Sequence, residues 1–158
     1  MILRPALPAD ADGMAQLLNR IIRIGGTTAY ETERSVAQVR DHVDGPAAIC
    51  CFVAEEAGHV IGFQSLVRMA GLPDGWAEIG TFVDPSRQGR GTGSALFEAT
   101  KGAARAAGFG VINAAIRADN HAGLGFYASL GFRDHGGDPG FTLRDGRRVG
   151  RVYRRFDL

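Results

Sequence analysis

Residues Arg87–Ala99 read RQGRGTGSALFEA, with glycines at positions 89, 91 and 93 followed by an apolar, helix-forming run. The stretch follows WAEIGTFVDP (Trp76–Pro85), which reads as a strand stopped by its proline. Glycines this dense where a strand turns into a helix allow a ligand to approach the backbone without meeting a Cβ. Successive N–H groups at the start of a helix form an anion nest, and the helix dipole favours negative charge there. Arg87 and Arg90 can add charge-assisted contacts. A tight turn alone needs one glycine. The stretch is therefore read as a diphosphate cradle.

Two better-known glycine loops do not fit. The dinucleotide fingerprint G-x-G-x-x-G needs its third glycine one position later than Gly93, and the first strand–helix unit of the chain carries nothing like it. The ATPase loop needs a Lys after its last glycine, and none follows at that spacing.

Working outward, Ile2–Ala6 reads as a short strand. Asp10 is expected to cap a first helix in which Met14, Leu17, Leu18, Ile21 and Ile22 recur at helical spacing, ended by Gly25-Gly26. Thr27 to Glu33 is a loop, and Ser35 caps a weaker helix through Val36, Val39 and Val43. AAICCFVAEE and HVIGFQSLVRM flank an Ala57-Gly58 turn as a hairpin, and Gly71 to Gly75 forms a loop before the glycine-bearing unit. Its helix should run to about Gly108. VINAAI is a buried strand, ADNHAGLGFYASL a further helix, and Asp145-Gly146 a hairpin turn between FTLR and RRVGRVYRRF. The order βααβββαβαββ describes a mixed α/β sheet with helices on its faces, in a single domain over residues 1–158.

Composition bounds the function. With 45% hydrophobic and 22% charged residues, the 158-residue chain suits a soluble globular domain with a real core. A formal net charge of +1 gives no nucleic-acid footprint, and no apolar run is long enough to span a bilayer. The N-terminus lacks a signal pattern, and the only cysteines, Cys50 and Cys51, are adjacent and offer no disulfide framework. These features point to a reducing cytoplasm. The four histidines lack ligand spacing, so no metal is expected.

Gln88-x-x-Gly91-x-Gly93 after Val83-Asp84-Pro85, then an Asn-led helix containing Tyr127 and ending in Leu130-Gly131-Phe132, resembles the GNAT superfamily of acetyl-CoA-dependent N-acetyltransferases. The resemblance covers nearly the whole chain. Within the superfamily the chain is most similar to the phosphinothricin acetyltransferase branch, through TTAYETE, AEIGTFVDPSRQGRGTGSALF and NHAGLGFYASLGF.

The resemblance implies a mostly antiparallel central sheet and a set of roles. Thr81, Phe82 and Val83 would pair with the pantetheine arm like an added strand, and an N–H there could polarise the thioester carbonyl. Gln88, Gly89, Arg90, Gly91, Thr92, Gly93 and Ser94 would hold the pyrophosphate. Asn120 would hydrogen-bond the pantetheine, or is simply a helix N-cap. Tyr127 would protonate the departing thiolate, or is an aromatic filling the core; the branch often has His here, although Tyr is common across the superfamily. Glu78 would take the proton of the incoming ammonium, or is a solvated strand-end charge. Tyr30 would wall the acceptor pocket, where the branch tends to have an aromatic; Glu31 beside it, an acid the branch does not have, could favour a cationic acceptor or simply face water. Arg68 is a candidate clamp for an acceptor carboxylate.

The activity implied is transfer of acetyl to the primary amine of a small molecule, an amino acid or analogue of the phosphinothricin, methionine sulfone or methionine sulfoximine type. Attack would be direct, in a ternary complex. A polyamine, aminoglycoside or peptide N-terminus is the alternative acceptor, and a non-catalytic acyl-CoA sensor the alternative of another kind. The branch, together with VGRVYRRF, suggests a symmetric homodimer.

Overall fold

The computed structural model describes residues Met1–Leu158. Its elements are β1 (Ile2–Pro5), α1 (Ala11–Ile24), α2 (Val36–Asp44), β2 (Ala48–Glu56), β3 (His59–Val67), β4 (Trp76–Val83), α3 (Thr92–Ala106), β5 (Val111–Arg117), α4 (His121–Ser129), β6 (Arg133–Thr142) and β7 (Arg148–Asp157). This is the order read from the sequence. The seven strands form one sheet in the order β1-β2-β3-β4-β5-β7-β6, antiparallel everywhere except between β4 and β5.

Local sequence explains most of these elements. The β2–β3 hairpin turns on Ala57 (φ 51°) and Gly58 (φ 78°), the two left-handed residues that a tight two-residue hairpin requires. The apolar face of α1 supplies Met14, Leu17 and Leu18, which pack with Val39, Val53 and Phe63 in one fully buried cluster. A second cluster joins α3 and α4 to the middle of the sheet through Leu66, Ile79, Phe97, Ile112 and Tyr127. Each such side chain contributes about 1.5–3 kcal/mol by leaving water. No helix is long and apolar enough to cross a membrane.

The feature that positions the site lies in the middle of the sheet. β4 is paired with β3 from Glu78 to Val83, yet it pairs with β5 only over Trp76–Glu78 against Val111–Asn113. Beyond that rung β5 keeps its bonds to β7 as far as Arg117. Each strand follows its outer partner, so the sheet splits and the edge of β4 from Ile79 to Val83 lies open on the β5 side.

One expectation changes. Asp10 immediately precedes α1 but makes no cap bond to it. A one-turn 3-10 helix, Pro8–Asp10, comes first and leaves Asp10 with a helical backbone (φ −77°, ψ −15°) in place of the extended one that a cap side chain needs. Its carboxylate turns back, accepting from Leu7 N at 2.7 Å and from both terminal nitrogens of Arg4 at 2.8 Å. Arg4 also donates to Glu55, which ties β1 and the 3-10 turn to β2. The strand VGRVYRRF is interior, with β7 paired to β5 on one side and to β6 on the other.

The Arg4 guanidinium holds the Asp10 carboxyl below its ordinary value. A depressed carboxylate stabilises the fold above its unfolded pKa of about 3.9 and loses that contribution as pH falls through the folded value. Asp10→Ala is therefore expected to lower stability by about 1–2 kcal/mol in urea denaturation at neutral pH. The deficit should narrow below about pH 4. A deficit independent of pH would place the effect in helix packing instead.

Candidate functional site

The split between β4 and β5 opens into a cavity of about 970 Å³, roofed by the start of α3, by α4 and by the loop after α1. At one end, Gln88, Gly89, Gly91, Thr92, Gly93 and Ser94 all border it. Gly89 and Gly91 have φ of 77° and 81°, and a Cβ on either would meet nothing within 4 Å. They satisfy a backbone conformation beside open space, the condition a ligand-cradling turn needs. Gly93 is there for another reason: a Cβ would stand 2.8 Å from the Phe126 ring, so this glycine lets α3 press against α4. The first intrahelical bond of α3 runs from Ala95 N to Gly91 O. The amides of Thr92, Gly93 and Ser94 thus precede it and form the positive end of a fifteen-residue helix. Arg87 borders the cavity and is paired with Glu56, whereas Arg90 is exposed and does not border it.

In the middle, Thr81, Phe82 and Val83 line the open edge of β4. Gln64 Nε2 donates to Thr81 Oγ1 at 3.0 Å, and that hydroxyl lies 2.8 Å from Tyr127 Oη. The Tyr127 ring packs edge-on against Phe126 and Phe132, with centroids 5.0 Å away in each case. Burial pushes its pKa well above that of a free phenol, and the Glu78 charge adds to this, while the Thr81 bond opposes it. The phenol therefore keeps its proton across the physiological range. Tyr127 is both a core residue and a cavity wall, so the two readings of it are compatible.

Glu78 is the third residue of β4 and only 8% exposed. It sits on the last rung before the strands part, opposite Asn113 of β5. It is not a solvated strand-end charge. Its Oε2 accepts from Asn113 Nδ2 at 2.7 Å, and the Ala115 amide favours the charged carboxylate as well. Burial raises its pKa above the ordinary carboxylate value, against the pull of these bonds and of the Arg151 charge. Asn113 Oδ1 in turn lies 2.6 Å from His135 Nε2. The one hint of this in the sequence is a polar residue inside the buried strand VINAAI; for His135 there is none.

The far wall is the loop Gly25–Arg34, which brings Thr28 and Tyr30 to the cavity. Arg117, 6% exposed and paired with Asp119, donates to Thr28 O at 3.1 Å. Asn120 caps α4 by accepting from Gly123 N at 2.9 Å, and its Nδ2 donates to Thr27 O at 3.1 Å. Glu31 is exposed, and its carboxylate also accepts from Arg144 N at 2.8 Å, which latches the loop onto the β6–β7 turn. Arg68 lies outside the cavity: its guanidinium stands 5.6 Å over the Phe109 ring and donates to Ala48 O. Arg117 and Arg151 both border the cavity, and it is the Arg151 charge that acts on Glu78. Arg151 pairs with Asp138 at 2.9 Å, and its buried Nε has no partner. No three His, Cys, Asp or Glu side chains gather as metal ligands.

Comparison with known proteins agrees with this geometry. The model of the Acetyltransferase (GNAT) family matches residues 14–132. The chain is 29% identical over 163 residues to the L-methionine sulfoximine/L-methionine sulfone acetyltransferase of Pseudomonas paraeruginosa, covering 99% of this chain and 94% of that protein. It is 36% identical over 81 residues to the N-alpha-acetyltransferase RimI of Mycobacterium tuberculosis, covering about half of each (51% and 49%). Among solved structures, a phosphinothricin acetyltransferase from Sinorhizobium meliloti in complex with acetyl-CoA superposes with a TM-score of 0.87 at 24% identity, over 99% of this chain and 88% of that one. With the family's pattern running through both clusters of the core and the whole cradle, this chain belongs to the GNAT acetyltransferase family.

Proposed function

We propose that this GNAT acetyltransferase moves acetyl from acetyl-CoA to the primary amine of a small acceptor that carries an anionic group, an amino acid or analogue of the methionine sulfone, methionine sulfoximine or phosphinothricin type. One observation carries the reading: a single cavity runs from a helix start built for phosphate to a buried carboxylate and a buried phenol. Acetyl-CoA, when bound, supplies a thioester whose carbonyl carbon is the electrophile. The open N–H groups of Gly89 to Ser94 suit its pyrophosphate. The free β4 edge from Thr81 to Val83 suits the amides of its pantetheine arm.

The chain's own residues then divide the proton work. Glu78, poised by burial above the usual carboxylate range, takes a proton from the acceptor ammonium so that the amine can attack. Tyr127, kept protonated by burial, hands its proton to the leaving sulfur. Thr81 and Gln64 fix the phenol oxygen in place. Neither cysteine borders the cavity, and burial raises the Cys50 thiol to about 11 and the Cys51 thiol to about 12, so no thiolate is available to carry the acetyl group. Attack is direct. Arg151, with its unpartnered Nε, takes the place of Arg68 as the group that would hold the acceptor's anion.

Gly91→Glu puts a side chain and a negative charge into the cradle at a left-handed residue. Calorimetry should show acetyl-CoA affinity lost in this variant and largely kept in Gly91→Asn, which tolerates the backbone. Unchanged affinity in folded Gly91→Glu would remove the pyrophosphate assignment.

For the proton chemistry, kcat/KM should rise with pH to a plateau as Glu78 ionises, with a midpoint above the ordinary carboxylate value. Glu78→Gln and Tyr127→Phe should each slow turnover by about 10²–10⁴-fold with acetyl-CoA affinity nearly unchanged. The Glu78→Gln loss should shrink at high pH, where the amine is already neutral. A wild-type rate and pH profile in either variant would strip that residue of its role.

Acetyl-CoA turnover across an amine panel tests the acceptor. Amino acids and their sulfone or sulfoximine analogues should be favoured over polyamines, aminoglycosides and peptide N-termini. Arg151→Gln should raise KM for anionic acceptors by roughly 10–100-fold, the equivalent of one charge-assisted hydrogen bond, and leave neutral amines little affected. An equal effect on both would count against the clamp, and no turnover with any amine would favour a sensor.

A further inference from the structure

The residues behind Glu78 form a connected device that the transfer reaction as described does not use. Asn113 is 4% exposed and stands at the closing rung of the short β4–β5 pairing. Its amide is gripped at both ends, Nδ2 by Glu78 Oε2 at 2.7 Å and Oδ1 by His135 Nε2 at 2.6 Å. His135 belongs to β6, two strands away from β5, with β7 between them.

A local irregularity lets it reach so far. β6 pairs Asp134 with Arg154 and Gly136 with Tyr153, so His135 is the extra residue of a bulge between two consecutive partners. Bulges leave one residue outside the ladder and re-aim its side chain, and they recur beside active sites. The imidazole lies over the β7 strand, stacked on Tyr153 at 6.2 Å and edge-on to Trp76 at 5.3 Å. Trp76 and Glu78 are two residues apart on β4 and share a face.

We propose that His135 and Asn113 are positioning residues for Glu78: the bulged imidazole donates to Asn113 Oδ1 and so locks the amide with its N–H toward the carboxylate. The reverse orientation would set the amide oxygen against the carboxylate oxygen and point the NH₂ at the histidine's own N–H. With Nε2 protonated, in the neutral ring or in the imidazolium, a single orientation satisfies both contacts. The locked N–H favours the ionised form of Glu78 and offsets part of the cost of its burial. Without the lock, Asn113 is free to turn and the base loses its neutral hydrogen-bond donor.

The charged and titratable groups around Glu78 set the background. Arg151 faces it from β7, Arg117 borders the cavity from β5, and Tyr127 stands on α4. His42 of α2 and Tyr30 of the preceding loop border the same cavity. α1 and β3 bring only Ile21, Ile24, Ser65 and Val67. His135, as imidazolium, would add a positive charge one amide away.

The inference rests on Glu78 as the base, and the experiment separates the two. The Glu78 side-chain carboxyl is titrated by ¹³C NMR in the wild-type protein, Asn113→Leu, His135→Phe and His135→Gln, and the pH profile of kcat/KM is recorded for each. Asn113→Leu should move the Glu78 midpoint up by about one pH unit, and the acid limb of kcat/KM should follow. His135→Phe, which keeps the ring packing at an exposed position and remains informative should Asn113→Leu fail to fold, should move both the same way by less. His135→Gln, which restores an N–H donor, should bring both back toward wild type. A midpoint that shifts while kcat/KM does not would uphold the lock and dismiss Glu78 as the base. A Glu78 midpoint at the wild-type value in folded His135→Phe overturns the lock.

Discussion

Three residues of parallel pairing, Trp76–Glu78 against Val111–Asn113, are the constraint on which the rest of the structure depends. Were the ladder longer, β4 and β5 would satisfy one another and no edge would be free for a ligand. Were it absent, the two halves of the sheet would lose their register, and Glu78 would lose its partner across the rung. The split is held open from outside, because β3 and β7 keep their claims on β4 and β5 past the point of parting. The two ends of the chain take part in this: β1 is bound to β2 by its ladder and by the Arg4–Glu55 pair, and β7 fills the place beside β5.

Along the resulting cavity the electrostatics change character. Near α3 the field comes from backbone amides and a helix end, which favour an anion without placing a buried charge there. Arg87 is largely neutralised by Glu56, so the cradle relies on geometry more than on net charge. Near β5 the environment is dry enough to raise both a carboxyl and a phenol. The same burial raises the proton affinity of both groups, leaving Glu78 more basic than a surface glutamate and Tyr127 protonated. A proton acceptor and a proton donor of the proposed kind would thus coexist in one pocket at one pH.

The sequence disclosed whatever depends on near neighbours. Helical spacing marked α1, the Ala57-Gly58 and Asp145-Gly146 turns marked the hairpins, and the glycine run marked the turn into α3. That Glu78 and Tyr127 border the same cavity was reachable because each lies at a fixed distance from such a marker. Contacts made across the fold were not legible. Asp10 has the residue type of an N-cap, but the Pro8 turn ahead of it sets its backbone and Arg4 captures its carboxylate. Arg68 stands at the right strand end for a clamp, yet Phe109 and the Ala48 carbonyl draw it outward. Glu31 is latched by Arg144, more than a hundred residues away in sequence. His135 depends on a bulge, and a bulge is a property of two strands together that one strand's sequence does not announce.

Asn120 shows how the two halves of the cavity are joined. Its side chain offers one acceptor oxygen and two N–H donors. The oxygen caps α4 at Gly123, and one N–H holds Thr27 O at the root of the acceptor-side loop. The second N–H is left over, on a residue that borders the cavity. Capping and ligand contact, which looked like rival readings, would use different atoms of the same amide. A residue that fixes a helix start, anchors the acceptor wall and still has a donor to spare couples the position of that wall to whatever occupies the cofactor side. Arg117 repeats the arrangement one rung earlier, with Asp119 on one side of its guanidinium and Thr28 O on another. Between them they tie the loop bearing Tyr30 to β5 and α4, the elements that frame the open edge of β4. The acceptor pocket is therefore not an independent surface feature: its shape is set by the same parting of strands that makes room for the cofactor.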